Sequence, residues 1–198
     1  MQDEIVARGK RVIIRRRRIA DATDEYNWRT DVELYRYDAV PPVNVDFVDY
    51  LRGWRLNLYF TDAGQRSFAL EDENGRHIGN IMYYNINSSR GEAELGISVG
   101  ANHRWGLGYG SDALAAMLGF VFRNTSLNWI YMRTLDWNLR AQRCFRKAGF
   151  RECNTSWQNG HSFVIMRIRR EQWKERLSSA RRPSFLHAIP STADLSGS

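Results

Sequence analysis

The passage from Gly91 to Asn124 constrains the fold more than any other. A β-rich run, GEAELGISVG, leads to glycines at 106, 108 and 110 and then directly into DALAAMLGFVFRN. That last segment is apolar at 113–114, 117–118 and 121–122, the spacing of one helical face. The chain therefore passes from strand to helix through a loop in which alternate residues lack a side chain. Glycine lets successive backbone N–H groups converge, and a helix N-terminus adds unpaired donors and the positive end of its dipole. Such a loop can seat a phosphate, or it can simply make a tight strand-to-helix turn. No lysine follows the glycines, so the Walker pattern is absent, and GxGxG followed by Ser111 is not the dinucleotide fingerprint.

Turn signals divide the rest of the chain. DENG at 72–75 and NSSRG at 87–91 separate RSFALED, HIGNIMYYNIN and GEAELGISVG into an antiparallel meander. Upstream, RVIIRRRRI reads as the first strand and DATDEYNWRTDVELYRYD as a helix capped by Asp21 or Thr23. AVPPVN is a loop, and FVDYLRGWRLNLYF is helical in period although Gly53 weakens it. Downstream come the strand WIYMRTL, the helix LRAQRCFRKAG closed by Gly149, the strands FRECNTSW and SFVIMRIRR around QNGH, and a terminal helix REQWKERL. The pattern is a mixed α+β sheet with helices packed on its faces. Residues 178–198 are polar with two prolines and read as a C-terminal tail.

With 198 residues, 43% of them hydrophobic, the chain suits one domain with a substantial core. No run approaches the ~20 apolar residues of a membrane span, and MQDEIVARGK lacks a secretory signal, so a cytoplasmic protein is expected, with no membrane partner. The two cysteines, Cys144 and Cys153, form no metal-ligand pattern, so no metal is expected. The formal charge is +7, concentrated in RRRR at 15–18 and in 167–182. Such clusters suit nucleic acid, an acidic partner or an anionic cofactor, or they are solvated cations on an edge strand and a terminal helix.

The stretch EAELGISVGANHRWGLGYGSDAL resembles the acyl-CoA-binding motif of the GNAT superfamily of N-acetyltransferases. Gly108 and Gly110 fill its last two positions, and Trp105 stands where Gln or Arg is usual, as in the branch of ribosomal-protein N-terminal and spermidine acetyltransferases. NLRAQRCFRKAGF at 138–150 is similar to a second family block, and RTDVELYRYDA to the first helices of that branch. The resemblance covers roughly residues 11 to 170 and implies a single acetyltransferase domain over 1–177. It further implies a mostly antiparallel, twisted central sheet that contains one splayed parallel strand pair and is flanked by helices.

That likeness implies acetyl-CoA as co-substrate and a primary amine as acceptor. The pantetheine arm would lie along the backbone of Ile97, Ser98 and Val99, with Trp137 and Asn138 opposite. The pyrophosphate would rest on the amides of Arg104, Trp105, Gly106, Leu107, Gly108, Tyr109, Gly110 and Ser111. Arg104 either bonds a phosphate or is a solvated loop residue, and Asn138 is a ligand contact, a helix cap, or both. An alkyl ammonium near pKa ~10.4 must lose a proton before it attacks. Glu94, eleven residues before Trp105 and on one strand face with Glu92, is the candidate base, directly or through water. A backbone N–H near Ile97 or Ser98 would polarise the thioester carbonyl.

The family often has Tyr at 145, as donor to the leaving thiolate; Phe145 cannot serve, so it would pack the cofactor while the thiolate leaves unaided or with water. Cys144 reads as core. The acceptor could be a protein N-terminus, a polyamine, an aminoglycoside or another small amine. Asp21, Asp24, Glu25, Asp31 and Glu33 in the first helical region favour a cationic one. The alternative is a non-catalytic ribosome- or RNA-associated protein on the same fold. The tail side chains Phe185, Leu186 and Ile189 are expected to dock on another surface, such as the second subunit of a homodimer.

Overall fold

A computed structural model describes residues 4–37, 39, 41–59 and 64–181. Eight strands form one sheet in the order β1-β2-β3-β4-β5-β6-β8-β7. They are β1 (Ile5–Arg8), β2 (Ile13–Arg15), β3 (Arg66–Glu71), β4 (His77–Asn87), β5 (Glu92–Ser98), β6 (Trp129–Leu135), β7 (Arg151–Gln158) and β8 (His161–Arg169). Neighbours run antiparallel except β5 and β6, which are parallel. The helices are α1 (Asp21–Thr30), α2 (Val32–Tyr35), α3 (Phe47–Tyr59), α4 (Tyr109–Asn124), α5 (Leu139–Ala148) and α6 (Arg170–Arg181). The α+β reading with a single parallel pair therefore holds.

Strand alternation splits the central sheet into two faces. Ile81 and Tyr83 of β4 and Ala93 and Leu95 of β5 are buried in the core with Leu114, Met117, Leu118 and Val121 of α4. Asn80, Met82 and Tyr84 point the other way, toward α1 and α3; Asn80 meets Glu25 of α1 there. Asn138 caps α5 by accepting from the Ala141 N–H, and Gly149 ends it at φ +107°, as the sequence suggests.

Several details depart from the sequence reading. The expected first helix is two: the Asp31 carboxylate accepts from the Glu33 and Leu34 amides, taking the start of α2 for itself and holding its own backbone extended. Neither Asp21 nor Thr23 caps α1, which lacks a side-chain cap at Ala20; Asp21 sits inside the first turn. α6 continues to Arg181, beyond the expected boundary at 177. The tail from 182, including Phe185, Leu186 and Ile189, lies outside the described residues.

The edge-strand reading of RRRR is also corrected. β1 pairs alongside β2, so β2 is interior, and Arg15 is only 2% exposed. Its guanidinium donates to both oxygens of Asp21, at 2.7 and 2.8 Å, and to Glu71. Burial pushes the Asp21 carboxyl up, but its bonds from Arg15 and the Arg18 N–H outweigh this and bring it below the ordinary carboxylate value. Arg16, Arg17 and Arg18 face Glu4, Glu25 and Glu71.

Candidate active site

The parallel seam between β5 and β6 is short. Glu92, Ala93 and Glu94 pair with Trp129, Ile130 and Tyr131, and the pairing then ends although both strands continue. Beyond Glu94 the β6-facing backbone groups of β5 have no strand to receive them, and a cavity of about 1330 Å³ opens there. Ile97, Ser98 and Val99 form one wall; Thr134, Leu135, Asn138 and Phe145 contribute to the opposite one.

The glycine loop forms the cavity's end. Gly106 and Gly108 have φ of +77° and +91°, in the region that side chains resist, and a Cβ on either would point into open space. Gly108 caps α4 without a side-chain bond, so the first-turn amides of Tyr109, Gly110 and Ser111 find no carbonyl within the helix. The first-turn carboxylate, Asp112, turns away from the cavity. It accepts from the amides of Lys10, Arg11 and Val12 in the β1–β2 turn, at 3.0, 2.7 and 3.1 Å. Asp112 is thereby engaged outside the cavity and does not pair with the first-turn amides that face it.

Arg104 is held by the buried Asp72 and donates to the Tyr109 hydroxyl, so it is no solvated loop residue. Trp105 donates its indole N–H to the Val99 carbonyl at 2.6 Å and lies beneath the Arg140 guanidinium, 3.4 Å from the ring centre. Tyr37 meets the same indole edge-on and also touches Trp137. Arg140, Arg143 and Lys147 of α5 add positive charge along the wall. This strand edge, open glycine loop and cationic border fit a long, phosphate-bearing thioester. Among the described residues no group of His, Cys, Asp and Glu is placed to hold a metal ion.

Most of the sequence-predicted residues are brought together here, with three exceptions. Leu107 and Trp137 are half-exposed and do not line the cavity. Glu94 also lies outside its wall. Its carboxylate is gripped by the Arg133 guanidinium at 2.7 and 3.1 Å and accepts from the Asn85 side chain at 3.1 Å and the Tyr84 hydroxyl at 2.8 Å. Tyr84 does line the cavity, so Glu94 reaches it through this phenol. Burial and the Glu94 charge push the Tyr84 hydroxyl up to about 12, so it stays protonated and donates. The sequence reading missed Tyr84 and Arg133. A register for the β4–β5 hairpin would have exposed Tyr84, but a bulge at Asn85, φ +51°, shifts that register.

Phe145 is buried against Phe150, and burial pushes the Cys144 thiol up to about 11, which leaves it no nucleophile at neutral pH. The acidic first helical region is not an acidic pocket. Asp21 binds Arg15, Asp24 meets His77, Asp31 caps α2 and Glu33 pairs with Arg36; only Glu25 of the five lines the cavity.

Comparison with known proteins agrees with this architecture. Residues 11–151 match the acetyltransferase (GNAT) domain model. An uncharacterized N-acetyltransferase p20 of Bacillus licheniformis is 25% identical over 126 residues, covering 61% of this chain and 68% of that protein. The spermidine N-acetyltransferase of Vibrio cholerae, solved with CoA and spermine, superposes with a TM-score of 0.72 at 22% identity, over 82% of this chain and 98% of that one. The aminoglycoside acetyltransferase AAC(6')-Ib, solved with coenzyme A, gives 0.70 at 19% identity, over 83% and 98%.

Proposed function

The chain belongs to the GNAT acetyltransferase family and is an acyl-CoA-dependent acetyltransferase, and we propose that it acetylates a primary amine by direct attack on the thioester. The observation that carries this is the seam that stops at Glu94, which leaves a strand edge and the glycine loop facing one cavity. Bound there, acetyl-CoA supplies an activated acetyl group. The backbone of Ile97, Ser98 and Val99 would hold the pantetheine arm, and the amides from Gly106 to Ser111 the pyrophosphate. Asn138 faces the arm from the other side.

Proton movement falls to Tyr84 and Glu94. As the ammonium releases a proton to the Tyr84 oxygen, the Tyr84 hydroxyl proton passes to the Glu94 carboxylate across their 2.8 Å bond. Arg133 orients that carboxylate by holding both of its oxygens. The nitrogen lone pair then forms the N–C bond, the C–S bond breaks, and the second nitrogen proton passes to water or to the departing thiolate. A backbone N–H near Ile97 or Ser98 stabilises charge on the carbonyl oxygen. Phe145 offers no proton, so the thiolate, with a thiol pKa near ~8.5, leaves unaided or takes one from water.

RNA binding finds little support, since each arginine of the RRRR run faces a carboxylate. An acetylation screen over a panel of amines tests the enzyme reading. Glu94→Gln is expected to lower kcat by roughly 10²–10⁴-fold with little change in the Kd for acetyl-CoA. Phe145→Tyr should change turnover by less than about tenfold, because a thiolate is already a fair leaving group. Unchanged turnover in Glu94→Gln would remove the base assignment, and a larger gain in Phe145→Tyr the unaided departure.

A further inference from the structure

The acceptor end of the cavity lies between α1, α3 and the β3–β4 face, and its charge is unlike what a polycation needs. Among the described residues two carboxylates line it, Glu25 and Asp49. Asp49 is half-exposed and bound to Arg52. Glu25 is the interior one, and it is already surrounded. It accepts from Asn80 Nδ2 at 2.7 Å, from the Tyr50 hydroxyl at 3.2 Å and from Arg17 at 3.5 Å, with Arg29 at 4.0 Å. Two guanidiniums against one carboxylate leave an excess of positive charge at this point.

Two polar atoms here are buried and unused. Asn80 is 9% exposed, and with its Nδ2 on Glu25 its Oδ1 has no hydrogen-bond partner. Arg17 lies flat on Trp54, 3.7 Å from the ring centre, and its Nε is likewise without a partner. Both residues line the cavity. Unsatisfied buried groups of this kind are costly and mark places where a ligand completes the bonding. One is an acceptor, the other a cationic donor. Both side chains bond the same oxygen of Glu25, so they stand no further apart than two hydrogen bonds laid end to end.

Asn80 also pairs in register with Ser98, at the splayed strand edge where the acetyl group would be presented. Trp28, Trp54, Phe68 and Met82 make the surrounding wall apolar and aromatic.

We infer that the acceptor is an amine bearing a carboxylate near its nitrogen and an apolar or aromatic side chain, the chemistry of a free amino acid. This rests on the acetyltransferase reading and narrows its substrate. The ammonium donates to Asn80 Oδ1, and the carboxylate accepts from Arg17 with Arg29 behind it. A polyamine or aminoglycoside would set several ammonium groups against this positive excess, with no unshared carboxylate among the described residues to receive them.

The test compares phenylalanine, phenylalaninamide and spermidine as acceptors, with coenzyme A release as the readout and calorimetric acetyl-CoA binding measured in parallel. The wild-type protein is expected to favour phenylalanine over its amide at least tenfold in kcat/KM, with spermidine lowest. Arg17→Met keeps an unbranched stem on Trp54. It should cut kcat/KM for phenylalanine at least tenfold more than for the amide, mainly through KM, and leave the Kd for acetyl-CoA unchanged. Equal loss on both amines would make Arg17 merely structural and overturn the assignment. So would a preference for the amide or spermidine, or coenzyme binding with none of the three amines acetylated. Failure to bind acetyl-CoA would instead strike the acetyltransferase reading itself.

Discussion

Arg15 shows how far a residue's role can lie from the run it belongs to. Four consecutive arginines look like a solvated stripe, yet the first sits between two buried carboxylates and has almost no contact with water. Removing one partner from such a group leaves uncompensated charge, so Arg15→Met should cost about 3–5 kcal/mol in urea unfolding near neutral pH. The pH dependence follows from Asp21, whose pKa in the folded protein lies below the ordinary 3.8. Its stabilising contribution is present above that ordinary value and is lost as pH falls through the lower folded one. In Arg15→Met the same carboxyl is buried without its cation, which favours protonation, so acid relieves part of the defect. The stability gap should therefore narrow from neutral pH to about pH 4; a constant gap would mean that Asp21 does not depend on Arg15. None of this was visible beforehand, because Glu71 is 56 residues away.

Among elements, legibility followed locality. β4, β6 and α5 begin and end where the sequence suggests, because nearby turn residues, the Asn138 cap and Gly149 set their limits. β1 was missed because the turn joining it to β2 is closed by Asp112, about a hundred residues on. The same holds for the site. Its glycines and strand edge could be read from one contiguous stretch. The Glu94 environment depended on Arg133, which only the β5–β6 pairing brings near. Asp112 permits a test at this scale. Asp112→Ala strands three amides of the hairpin turn, and about 2–3 kcal/mol of stability should go with them. The Kd for acetyl-CoA should change less than about threefold, since this carboxylate points away from the cavity. A large loss of coenzyme affinity without loss of stability would reverse that assignment.

Over the whole molecule, charge is distributed unevenly. Among the described residues nine arginines and lysines line the cavity against two acids, so part of the +7 excess is turned inward toward an anionic co-substrate. Acetyl-CoA at a hundred times its Kd should raise the melting temperature by about 5–10 °C, and added salt should erode that gain through weaker affinity. A salt-insensitive shift would place the phosphates away from these cations. The sheet itself is interrupted where the co-substrate is expected. Three residue pairs stitch β1–β5 to β6–β8 along that line, and the rest of the border has no peptide partner. A bound pantetheine arm would then serve as a ninth, non-peptide strand. Loading the enzyme would bridge its two halves along that open border, and each release of product would return the border to the stitch, the Glu94–Arg133 pair and the core shared beneath α4.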